Sequence, residues 1–132
     1  MDTNNGSPLI LLVDDEEDIL SVYRTKLEKV GFRVITAGDG EQAMQIVAKQ
    51  RPDLILMDMK MPVMDGIAAT VKLKEDPMTK DIKVVFLTAF SDSANPEMDV
   101  KQFAKIGALD FIKKGIGLDE FVAKIRGYTG KS

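Results

Sequence analysis

The chain of 132 residues contains no cysteine and no histidine. Without cysteine there is no disulfide framework, no thiolate nucleophile and no Cys-ligated metal. Without histidine the commonest general base and the commonest zinc ligand are both missing, which excludes serine–histidine and cysteine–histidine catalysis. Excess charge is also scarce. The formal net charge is −3 and no basic run appears, so there is no electrostatic reason to expect direct nucleic-acid binding. No apolar run approaches the roughly 20 residues that span a bilayer. The segment Met1 to Pro8 is polar rather than signal-like. A soluble, cytoplasmic protein with no membrane partner is expected. What is present is ordinary: 45% hydrophobic and 30% charged residues without a biased tract. At this length a single domain buries roughly two-thirds of its unfolded surface.

The stretch Asp53 to Gly66 is the most informative one. Leu54 to Met57 is continuously apolar, the pattern of a strand buried on both faces. It ends in Asp58. A carboxylate buried along the strand would cost several kcal/mol, so Asp58 should sit at the strand's open end beside a counter-charge. Pro62 and Asp65-Gly66 read as a loop entering a helix, with Asp65 as N-cap. By itself Asp58 has two readings, an acid that caps a turn or a reactive acid where open α/β sheets keep their sites.

The rest of the chain repeats the pattern. Leu9 to Val13 is a second apolar run, closed by Asp14-Asp15-Glu16-Glu17. Ile19, Leu20, Tyr23, Leu27 and Val30 then fall at helical spacing and stop at Gly31. Phe32 to Ala37 reads as a strand and about Glu41 to Gln50 as a helix, blocked by Pro52. A helix through Ala69, Val71 and Leu73 ends at Asp76-Pro77. Val84 to Leu87 is a fourth strand ending in Thr88-Ala89, followed by a helix carrying Val100, Phe103 and Ile106. Phe111-Ile112 is a short fifth strand ending in Lys113-Lys114, and Leu118, Phe121, Val122 and Ile125 mark the last helix. Five strand–helix units predict one doubly wound α/β domain of flavodoxin-like (βα)5 type, with a parallel five-stranded sheet in the order 2-1-3-4-5. The expected boundaries are a tail over 1–8, the domain over 9–128 and a tail over 129–132.

In that order strands 1 and 3 flank the topological switch point, and Asp14, Asp15 and Asp58 converge in one crevice. Three carboxylates without histidine or cysteine form a hard-oxygen site suited to Mg²⁺. One of them can act as nucleophile, since carboxylates form aspartyl-phosphates. Unshielded, they repel one another, so removing Asp15 is expected to raise the stability of the metal-free protein. Blander readings stand beside these. Asp14 and Asp15 can serve as helix-dipole acids, Thr88 as a strand former, and Lys113 and Lys114 as solvated lysines. Met57, Met59, Met61 and Met64 suit packing and loop filling better than ligation.

Taken together, Leu11-Leu12-Val13-Asp14-Asp15-Glu16, Asp58 within Asp53 to Gly66, Leu87-Thr88-Ala89 and Gly107-Ala108 to Phe111-Ile112-Lys113-Lys114 resemble the response-regulator receiver domains of two-component signalling. The likeness runs from about Leu9 to Tyr128. It implies a phosphoryl-accepting switch with Asp58 as phosphoacceptor. Asp14, Asp15, Asp58 and the backbone carbonyl of Lys60 would hold Mg²⁺. Thr88 would be the switch hydroxyl, Lys114 rather than Lys113 the phosphate-binding lysine, and Phe111 the switch aromatic. The implied partners are a sensor histidine kinase or histidine phosphotransfer protein, and a downstream protein target. Signalling would run through the face formed by the helix after the fourth strand, the fifth strand and the last helix. No activity beyond self-phosphorylation and slow dephosphorylation is implied.

Two departures from the family pattern stand out. Gly115 follows Lys114 where proline is usual, and the segment between Thr88 and Gly107 is several residues longer than is typical. Lys60 and Phe90, two residues past Asp58 and Thr88, would border the path of a hydrolytic water. Neither can act on it as a base, so slow self-dephosphorylation is expected. Two other function classes remain. An Asp-nucleophile phosphohydrolase generally carries a second acid where Lys60 stands, and a non-phosphorylated pseudo-receiver would not need the intact acids.

Overall fold

The computed structural model describes residues 7–59, 66–88, 101 and 104–130. Five parallel strands form one sheet: β1 (Leu9–Val13), β2 (Arg33–Ala37), β3 (Leu54–Asp58), β4 (Lys83–Thr88) and β5 (Asp110–Lys113). Their order is β2-β1-β3-β4-β5, as expected. Four helices are described in full: α1 (Glu17–Lys29), α2 (Gly40–Lys49), α3 (Gly66–Glu75) and α4 (Leu118–Thr129). Of the expected helix between β4 and β5, Lys101, Ala104 and Lys105 are helical. Its proposed anchors Val100 and Phe103 lie outside the described residues.

Two cores sandwich the sheet, and the two-residue period of the strands assigns each side chain to one of them. Leu11, Val13, Ile55, Met57, Val84 and Phe86 face the core that also holds Ala43 and Val47 of α2 and Ala69 and Leu73 of α3. Ile10, Leu12, Leu54, Leu56, Val85 and Leu87 face Tyr23 and Leu27 of α1 and Phe121, Val122 and Ile125 of α4. This two-sided burial is why β1 and β3 read as unbroken apolar runs rather than alternating ones. On the second face the Tyr23 and Phe121 rings stack at 4.3 Å between centroids, joining α1 to α4.

Two helical positions expected in the core are not there. Val71 is 38% exposed and Leu118 is 37% exposed. On α3 the buried neighbour is Thr70, whose hydroxyl donates to the Gly66 carbonyl at 2.8 Å. That bond satisfies the hydroxyl within its own helix, so a polar residue takes the inward position and the valine beside it turns outward.

Candidate functional site

The parallel register brings the carboxyl ends of β1 and β3 side by side. Leu12 pairs with Leu56 and Val13 with Met57, so the next residues, Asp14 and Asp58, stand side by side at the carboxyl edge of the sheet. Both have the parity of the residues that face α1 and α4. Asp14 is fully buried and Asp58 nearly so, at 6% exposed. Its amide bond to the Ala37 carbonyl, 3.1 Å, fixes Asp14 at the junction of β1 and β2.

The expected counter-charge is Lys114. Its Nζ lies 2.9 Å from Asp14 Oδ2, 3.1 Å from Asp58 Oδ1 and 3.2 Å from Glu16 Oε1. Lys113 is exposed, so of the two adjacent lysines it is Lys114 that reaches the acids. Its position follows from the backbone: the Lys114 amide donates to the Thr88 carbonyl at 2.8 Å, directly past the last paired residues, Thr88 and Lys113. The chain then turns through Gly115 at φ 93°, a left-handed conformation closed to proline. The usual proline is therefore replaced by a different turn that still delivers the lysine to the crevice.

The electrostatics are those of a charge cluster with too few cations. Burial pushes the Asp58 carboxyl up to about 6, and the neighbouring Asp14 adds to this while Lys114 opposes it. Burial likewise raises Asp14, against the pull of Lys114 and of the Glu16 amide. For Lys114 burial acts to lower the pKa, but the two carboxylates more than reverse it and hold the ammonium above its ordinary value. The acids are thus partly shielded, contrary to the expectation of three bare carboxylates. Asp15, exposed to solvent, contributes least to the strain.

Asp14 Oδ1 accepts the Glu16 amide at 2.9 Å. Its other oxygen is buried and faces the Lys114 ammonium at 2.9 Å. Carboxylate oxygens of Asp14, Asp15 and Glu16 lie within 4.8 Å of one another. The buried Asp14 carboxylate beside two exposed carboxylates is a donor set that fits a hard divalent cation. Glu16 was not singled out by sequence reasoning; the signal was there, as the third acid of a run of five.

A backbone approach closes the site from below. Gly66 lies so near Asp58 that a Cβ would overlap the Asp58 carbonyl oxygen and stand 2.8 Å from Met57 Cγ. Its amide also donates to the Met59 carbonyl at 3.0 Å. Thr88 is buried at the end of β4. Phe111, half-buried, pairs in register with Phe86 and packs on the core shared with α2 and α3. Lys60, Asp65, Phe90 and the inserted Pro96 lie outside the described residues.

A parallel sheet in the order β2-β1-β3-β4-β5 with an acidic crevice at its switch point defines a flavodoxin-like, receiver-type domain. The family model for the response regulator receiver domain matches residues 10–126. The transcriptional regulatory protein PrrA of Mycobacterium tuberculosis is 36% identical over 126 residues, which cover 96% of this chain and 52% of PrrA. This chain thus spans about half the length of that relative. Among solved structures, the receiver domain of the Francisella response regulator 1452 superposes with a TM-score of 0.83 at 27% identity, over 94% of this chain and 98% of that one. The receiver domain of the sensor histidine kinase PA1611 of Pseudomonas aeruginosa gives 0.82 at 28% identity, over 96% and 100%, and has a magnesium ion coordinated in its active site cleft. The chain belongs to the response regulator receiver domain family, the phosphoryl-accepting switches of two-component signalling. Among the described residues no helix is long and apolar enough to cross a membrane.

Proposed function

We propose that Asp58 accepts the phosphoryl group and that Asp14, Asp15 and Thr88 with Lys114 form the machinery around it. The observation that carries this reading is the Lys114 ammonium held between Asp58 and Asp14, at 3.1 and 2.9 Å. With its pKa near 6, Asp58 is mostly ionised at neutral pH and more basic than a surface carboxylate, which favours attack on phosphorus. An Asp58 oxygen bonds to phosphorus as the bond to the donor's leaving group breaks. Lys114 follows the new negative charge from the carboxylate to a phosphoryl oxygen, where it stabilises the equatorial oxygens. The Thr88 hydroxyl donates to the same group, and the half-buried Phe111 ring moves inward as β4 adjusts.

Asp14, Asp15, Asp58 and the Lys60 carbonyl would hold Mg²⁺, which neutralises charge that Lys114 alone leaves uncompensated. The domain acts on itself rather than turning over a substrate. Its phosphodonor is a histidine kinase or histidine phosphotransfer protein, and its output is a protein contact on the surface around β5 and α4. PrrA is by name a transcriptional regulatory protein, so the expectation of no nucleic-acid partner is not extended to any longer protein in which this domain works. The test is direct: with acetyl phosphate and Mg²⁺ the wild-type protein gains acid-labile mass and Asp58→Asn does not. Equal labelling of the variant removes Asp58 from the role.

A further inference from the structure

We propose that Glu16 is a specificity-determining residue, a charge filter at the mouth of the site that disfavours polyanionic acyl phosphates and favours phosphodonors carrying phosphorus on a protonated nitrogen. This rests on the reading of Asp58 as acceptor.

Glu16 occupies the N-cap of α1, yet its side chain makes no cap bond to the helix. It turns instead to Lys114, whose Nζ donates to Glu16 Oε1 at 3.2 Å. The backbone of Glu16 is fixed on both sides. Its amide donates to Asp14 Oδ1 at 2.9 Å, and its carbonyl accepts the Leu20 amide at 3.1 Å, the opening bond of the helix. The carboxylate therefore stands at a defined place. It is also the outermost partner of the lysine: the Glu16 side chain is 61% exposed, against 8% for Asp58 and none for Asp14. Any donor that reaches Asp58 and recruits Lys114 must approach a negative charge that already holds that ammonium.

The penalty grows with the donor's own charge. Acetyl phosphate arrives as a dianion. In the transfer an Asp58 oxygen bonds to phosphorus, the phosphorus–oxygen bond breaks, and acetate leaves with the electron pair. Phosphoramidate arrives as a zwitterion with net charge −1; its phosphorus–nitrogen bond breaks, the pair returns to nitrogen, and ammonia leaves. A phosphohistidine protonated on its other ring nitrogen resembles the second donor, with net charge −1 at the phosphoimidazole and neutral imidazole as the leaving group. At a distance of several ångströms and high local dielectric, one full charge at the mouth separates the two donors by roughly three- to tenfold in rate.

The experiment compares labelling rates of purified wild-type protein, Glu16→Gln and Glu16→Asp with acetyl phosphate and with phosphoramidate, in Mg²⁺ saturating for each protein, at low and high salt. Glu16→Gln keeps the amide that Asp14 needs. It should speed labelling by acetyl phosphate by roughly three- to tenfold and labelling by phosphoramidate by less, with the difference shrinking as salt rises. Glu16→Asp, which keeps the charge, should retain the wild-type donor ratio. Normal wild-type labelling with an unchanged donor ratio in Glu16→Gln overturns the filter while leaving the acceptor role intact. Wild-type protein labelled by neither donor overturns the reading of the site itself.

Discussion

The two ends of the sheet handle charge in opposite ways. At the amino end, a groove of about 500 Å³ is lined by Arg33, Asp53, Lys83, Tyr128 and Thr129 with Ser7 and Pro8. Each charged group there is spent on fixed polar atoms. Arg33 donates to the Ser7 carbonyl at 3.0 and 3.1 Å, Asp53 accepts the Leu9 amide at 2.7 Å, and Lys83 donates to the Tyr128 carbonyl at 2.7 Å. At the carboxyl end the charged groups face one another, and two buried carboxylates share one ammonium. The first arrangement ties termini to strands and is complete. The second holds unfavourable energy that a cation can release.

The strongest way to break the carboxyl end is through its backbone. Gly66→Ala forces a methyl group onto the Asp58 carbonyl, where neither backbone can yield cheaply. Thermal unfolding should show a loss of about 2–4 kcal/mol, and Mg²⁺-dependent labelling should fall with it. A variant as stable as wild type would show that the close approach is dispensable.

Asp58→Asn should move stability the other way. The folded pKa of Asp58 is about 6, above an unfolded value of about 3.9. Between those values the folded protein binds more protons than the unfolded chain, so wild-type stability without metal falls as pH rises from about 4 to 6. Above pH 6 Asp58→Asn should be the more stable protein by about 1–2 kcal/mol, after allowance for the lost contact with Lys114. Below pH 4 the difference should vanish. Denaturant melts across that range check both sign and window.

Tyr128→Phe tests the amino end. The phenol donates to Asp110 at 2.6 Å, and burial, then this bond, raises its pKa. Its loss should cost about 1 kcal/mol in urea unfolding and leave labelling of Asp58 unchanged. Altered labelling would mean that the two ends are energetically linked.

Asp15→Ala should have the smallest effect on stability, within about 0.5 kcal/mol in the metal-free protein, because the side chain is exposed and the crowding involves its buried neighbours. Mg²⁺ affinity should nevertheless fall by about tenfold or more, readable as loss of the Mg²⁺-induced rise in melting temperature. An undiminished rise would remove Asp15 from the ligand set.

How far the sequence carried depended on the physics behind each signal. The strands were legible because two-sided burial leaves an uninterrupted apolar run, as in Leu9–Val13 and Leu54–Met57. The convergence of Asp14 with Asp58 followed from strand order alone, whereas the choice of Lys114 over Lys113 came from the family resemblance. What composition and spacing did not reveal depends on three-dimensional approach. Gly66 reads as an ordinary turn glycine until the Asp58 carbonyl is found against it. Glu16 reads as a helix-dipole acid, and only the geometry shows its carboxylate on Lys114. Thr70 and Val71 differ by a single position along α3, so periodicity favoured the valine, and a hydrogen bond within the helix decided for the threonine. The neutralising lysine lies 56 positions after Asp58, so its distances to the individual acids could be read only from the structure.

The bond from the Lys114 amide to the Thr88 carbonyl has a mechanical consequence. The ammonium and the hydroxyl project from two backbones pinned to each other at the rim of the sheet. A pull on one is therefore a displacement of both, and the edge strand β5 is carried along with them. News of a phosphoryl group would not have to cross the domain by way of its core. It would travel along the rim as the shift of a single latch, from the middle of the sheet to its outer edge.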